Sequence, residues 1–138
     1  SIPGGFGVLV RAVASGLNVR EDQARQFVLK FGLDQNQVEG QVFKILSGPL
    51  DNYASELAKS VRFFQTKYLG GKVGGIILSG YASVIPLFSE FIEAKTNVPT
   101  VKGNPWQFVR TSPAQQQALM NVASEFAVAI GLSERSND

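Results

Sequence analysis

Apolar residues recur at three- and four-residue spacing through the first half of the chain, then fuse into an unbroken run near its middle. Val8, Leu9, Ala12 and Val13 predict a first helix, which Gly16 is suited to end. Ala24, Phe27, Val28 and Phe31 predict a second, stopped at Gly32. Asp34 is placed as the N-cap of a third, carrying Val38, Val42 and Ile45. Ser47-Gly48-Pro49 breaks that helix, because proline suits the first turn of the next one. In this fourth helix Leu50, Tyr53, Ala54, Leu57, Val61, Phe64 and Tyr68 form one stripe, with Glu56, Lys59 and Arg62 opposite.

Val73 to Leu78 is a continuous apolar run rich in β-branched residues and bounded by glycines. A short run of this kind is a strand buried on both faces, as at the centre of a parallel sheet. A helix follows with Leu87, Phe88, Phe91 and Ile92 inward, then a short strand from Val98 to Val101. Leu119, Val122, Ala123, Phe126 and Ile130 predict a last helix, capped by Gly131. The second half therefore reads strand, helix, strand, helix, with a parallel crossover. Two short strands make a poor sheet. Further strands are expected from a segment ahead of Ser1, and self-association through the unfinished edge is expected without them.

The length of 138 residues fits one domain, divided into a mainly helical part (1–70), an α/β part (71–133) and a tail (134–138). A net charge of +2, with basic residues scattered singly, argues against a nucleic-acid partner. Cysteine and histidine are both absent, which removes thiol chemistry, the usual neutral-pH base and the commonest zinc ligands. No apolar segment is long enough for a membrane span, so direct insertion is not expected. The start at Ser1-Ile2-Pro3-Gly4-Gly5 reads as a piece cut from a larger protein.

Ser79-Gly80 ends a buried strand and leads into a helix, the edge at which open α/β sheets bind ligands. A tight turn alone would also call for Gly80. Gly4-Gly5-Phe6-Gly7 opens the first helix, either as a close backbone approach to a ligand or as a flexible lead-in. Gly70 to Gly75 precedes its strand, where a phosphate loop follows one, and reads as a helix stop. No pair of carboxylates sits convincingly at a strand end, so an acid/base dyad is not expected. Trp106 and Phe108 beside Pro105 are either a partner site or a plug on the core.

Ile2-Pro3-Gly4-Gly5 opening a helix, Ile76-Ile77-Leu78-Ser79-Gly80, and Pro86 six residues after Gly80 together resemble the actin-like ATPase superfamily. Asn97-Val98-Pro99, Asn104-Pro105-Trp106 and the closing Phe126 to Leu132 are similar to the PilM family of type IV pilus assembly proteins, with FtsA a second likeness. The resemblance implies a fragment of an actin-like (RNase H-like) ATPase domain, from past the second phosphate loop to its end. Its two upstream phosphate loops, each with an Asp and glycines, would be missing.

The resemblance marks Gly4, Gly5, Ser79 and Gly80 as what remains of a degenerate nucleotide site, and the sequence departs from its pattern around them. Tyr81 stands where the family has a second glycine, and Leu87 where it has one after proline. Arg25 and Val28 stand where it tends to place Glu and Lys against adenosine, and Phe6 and Leu9 where Asp and Thr are frequent. No catalytic or metal-binding residue is expected, and no cofactor in this chain alone, although a full-length relative could take ATP. The implied role is a non-enzymatic scaffold at the cytoplasmic face of the inner membrane, alongside a PilN-like tail that docks mainly on the other domain. The alternative is a nucleotide-dependent switch completed by upstream phosphate loops.

Overall fold

The computed structural model describes residues 5–67, 72–103, 115–123 and 126–133. Helices α1 (Phe6–Leu17), α2 (Glu21–Lys30) and α3 (Gln41–Lys67) precede strand β1 (Lys72–Gly80). Helix α4 (Phe88–Thr96), strand β2 (Thr100–Lys102), strand β3 (Gln115–Ala123) and strand β4 (Phe126–Ser133) follow. The sheet is four-stranded and mixed, in the order β2-β1-β4-β3. β1 pairs parallel with β2 and antiparallel with β4, which pairs antiparallel with β3.

One core joins the helices to the sheet. Phe6, Leu9, Val10 and Val13 of α1 meet Ala24 and Val28 of α2 and the α3 stripe of Val42, Leu46, Leu50, Tyr53, Ala54, Leu57 and Val61. Phe88 and Ile92 of α4 complete the helical side. The sheet answers with Val73, Ile76 and Leu78 of β1 and with Phe126, Val128 and Ile130 of β4. Each fully buried aliphatic or aromatic side chain contributes about 1.5–3 kcal/mol by leaving water.

Four expectations change. Gly16 does not end α1: Asn18 does, in the left-handed conformation, while Gly16 lies inside and admits Ile45 of α3 where a Cβ would sit 2.6 Å from its Cδ1. The third and fourth predicted helices are one, with Pro49 inside α3. Proline costs that helix one hydrogen bond. Buried side chains on both sides of it, Val42 and Leu46 before and Leu50 and Tyr53 after, hold the axis continuous. Asp34 accordingly caps no helix; its carboxylate accepts from the Asn36 N–H at 2.9 Å within the preceding loop. Leu87, expected inward, is 44% exposed because it is the left-handed residue ahead of α4.

The largest change is at the end of the chain. The predicted last helix is the β3–β4 hairpin, so among the described residues the second half runs strand, helix, strand, strand, strand. Phe126, Val128 and Ile130 alternate toward the core, which is strand spacing. Pairing β4 onto β1 satisfies an edge that a helix would have left open. β1 therefore has both neighbours from this chain, and the expected dependence on strands ahead of Ser1 does not hold for it.

Candidate functional site

The sheet ends at a turn where three distant segments meet. Gly80, the last residue of β1, has φ 61° and ψ −142°, a conformation open to glycine and strained for other residues. Gly5 precedes α1 at φ 56° and ψ −129°, an equally glycine-specific geometry. Each glycine aims the aromatic residue that follows it at the same place. The Phe6 and Tyr81 rings stack with centroids 4.0 Å apart and planes 15° from parallel.

Arg25 of α2 closes the group. Its Nη1 donates to the Tyr81 hydroxyl at 3.0 Å. Its guanidinium carbon lies 5.3 Å from the Phe6 ring centroid and 5.5 Å from that of Tyr81, within cation–π range. Phe6 is fully buried, Tyr81 half-buried and Arg25 exposed, so the cluster runs from core to solvent. Below it, Ser83 Oγ donates to the Gly80 carbonyl at 2.6 Å and tightens the turn.

Of the sequence-predicted site residues, Gly5 and Gly80 flank this cluster through Phe6 and Tyr81. Ser79 is half-buried in β1 opposite Ala127, and Gly4 lies outside the described residues. Phe6, Arg25 and Tyr81, three places where the sequence departs from the actin-like pattern, come together. Val28 and Leu9, two further departures, are fully buried in the core and line no cleft. Trp106 and Phe108 lie outside the described residues. The Gly70–Gly75 run contributes the start of β1 at Lys72.

Two rings already in van der Waals contact cannot also admit a base between them, and the guanidinium covers them from the α2 side. Among the described residues no group of His, Cys, Asp and Glu could hold a metal ion. Two exposed carboxylates elsewhere are engaged locally. Glu90, at the start of α4, accepts from Ser89 Oγ, and this hydrogen bond first, with the backbone and Lys102, holds its pKa below the usual value. Glu93 accepts from the Thr100 N–H at 2.9 Å.

An open groove of about 510 Å³ runs between α4 and β2, lined by Ser89, Glu90, Glu93, Ala94, Asn97, Pro99 and Thr100. Sequence reasoning missed both this groove and the Arg25–Tyr81 contact, because each depends on how separate elements are placed.

Fold and site together define a mixed α/β domain whose sheet-end turn is sealed by its own aromatic and arginine side chains. A family model for type IV pilus assembly protein PilM matches residues 9–137, and the chain belongs to that family. No curated protein and no solved structure matches it. Among the described residues, no helix is long and apolar enough to cross a membrane.

Proposed function

We propose that this chain is a non-enzymatic scaffold of type IV pilus assembly, part of an actin-like domain held at the cytoplasmic face of the inner membrane by partner proteins such as a PilN-like tail. The family assignment supports the pilus role. The observation that carries the scaffold reading over a nucleotide switch is the Phe6–Tyr81 stack with Arg25 above it. Side chains of the chain itself fill the turn at which an actin-like protein would receive adenosine. Calorimetric titration with ATP and magnesium is the test. No heat beyond dilution is expected at micromolar concentrations, and a micromolar Kd would overturn the reading.

A second reading keeps some support. Gly5 and Gly80 retain left-handed backbones beside the start of α1 and the end of β1, which a nucleotide-approaching loop would need. In that case upstream phosphate loops supplied in trans would restore binding, and the same titration with that segment present separates the two readings.

A further inference from the structure

β2 is an edge strand, and its outer side is built differently from an idle edge. The Ile76 N–H donates to the Pro99 carbonyl at 2.9 Å, and the Gly103 N–H donates to the Leu78 carbonyl at 2.9 Å. Backbone groups alternate in direction along a strand, so Thr100 and Lys102 turn theirs away from β1. Among the described residues no strand lies beyond them. The outward Thr100 N–H is occupied by a side chain, the Glu93 carboxylate of α4. Beside this bond lies the groove between α4 and β2, which carries a second carboxylate, Glu90, with Lys102 of β2 near enough to act on it electrostatically. Pro99 of its lining is exposed, as are Val101 and Lys102 of β2, and Lys95 is drawn away to Asp51 at 3.0 Å.

We infer that the outer edge of β2 with this groove is a docking site for an extended peptide segment bearing lysine or arginine. Such a segment adds to β2 as a strand. Its carbonyl replaces Glu93 on the Thr100 N–H, and the outward groups of Lys102 supply the next bonds. The released Glu93 carboxylate, with Glu90, then meets the incoming cation. Charge selects the occupant: with Lys95 paired to Asp51, Glu90 and Glu93 stand against the single Lys102, so an acidic segment would meet a net negative edge. Glu93 meanwhile blunts the edge in the free protein, much as inward-reaching charges protect edges elsewhere.

Amide chemical shifts of the labelled chain report the site directly. The probe is a capped peptide of about eight alternating Val and Lys residues, compared with one of Val and Glu. Shifts centred on Thr100, Lys102 and Glu93 are expected with the lysine peptide. Binding should weaken about fivefold in Glu90→Gln, the size of one exposed ion pair, because this variant leaves the Glu93 bond to Thr100 unchanged. This residue is on the surface, so the variant folds. Equal binding of both peptides, or shifts centred elsewhere, would overturn the proposal. So would concentration-dependent shifts at Thr100 and Lys102 without peptide, which would assign the edge to a second copy of the chain. None of these outcomes depends on whether ATP binds.

Discussion

Phe6 and Tyr81 lie face to face, their ring centroids 4.0 Å apart, at the point where the start of α1 meets the end of β1. The stack joins the buried floor of the helical part to the exposed rim of the sheet, and Arg25 ties α2 to both rings. α2 is anchored a second time at its other end. There the Leu33 N–H donates to the Pro86 carbonyl at 3.0 Å, and Gly32 packs so closely that a Cβ would lie 2.7 Å from that oxygen. The turn between β1 and α4 is thus held from two sides.

Tyr81→Ala removes the stack and the hydroxyl acceptor together. The stack is worth about 1 kcal/mol beyond its area and the hydrogen bond about 1 kcal/mol. A loss near 2 kcal/mol is therefore expected in urea unfolding, below the ~3–5 kcal/mol of a fully buried ring. Tyr81→Phe should lose less than half of that, because Arg25 is exposed. A loss under about 0.5 kcal/mol for Tyr81→Ala would mean the stack does not hold the turn.

Tyr53 presents the opposite case. Its hydroxyl is buried with no hydrogen-bond partner among the described residues, while its ring packs edge-on against Phe126 at 6.2 Å. Burial first, then the charge of Glu56, pushes its pKa above the ordinary tyrosine value. Tyr53→Phe should be neutral or stabilising by up to about 1 kcal/mol, since it removes an unsatisfied group. The pH dependence follows the same sign. A raised folded pKa gives stability that is complete below the unfolded value, near 10, and is lost as pH rises through the folded one. Alkaline unfolding should be less steep in Tyr53→Phe than in the natural chain.

The helix faces were legible in the sequence because burial follows their spacing. Leu9 and Val13, Ala24 and Val28, and the long stripe from Leu50 to Val61 all reach the core. What the sequence concealed came from longer-range competition. Pro49 is a local break signal overridden by the packing on either side of it. Phe126 and Ile130 satisfy helical spacing and strand spacing equally, and only the open side of β1 decides between them. At the turn, Gly5 and Gly80 were visible as special backbone positions. That the residues following them would stack, beneath an arginine from α2, depends on the placement of three elements and leaves no periodic trace.

Gly48 offers a gain in stability. It lies inside α3, exposed, with nothing within 4 Å of where a Cβ would be and no left-handed φ to protect. Gly48→Ala should therefore stabilise by about 0.5–1 kcal/mol, by reducing the freedom of the unfolded chain. The urea midpoint should rise with an unchanged slope. A loss instead would mean that α3 needs glycine next to Pro49, as a flexible joint in an otherwise continuous helix.

Val128 separates the hairpin from the helix that the sequence first suggested. A helix burying Leu119, Val122, Phe126 and Ile130 advances about 100° per residue and turns Val128 to the opposite, solvent-facing side. In the sheet Val128 is fully buried, opposite Leu78 of β1 and between Phe126 and Ile130 in the core. Val128→Asp would place a carboxylate in that core with no cation to pair it, a cost of several kcal/mol that few domains of this size survive. Loss of the cooperative urea transition is expected. Val128→Ala, gentler, should cost about 2 kcal/mol and leave the fold intact, which keeps the comparison informative if the aspartate variant cannot be purified. If both variants unfold as the natural chain does, within about 0.5 kcal/mol, Val128 faces solvent and β4 is not the strand that completes β1.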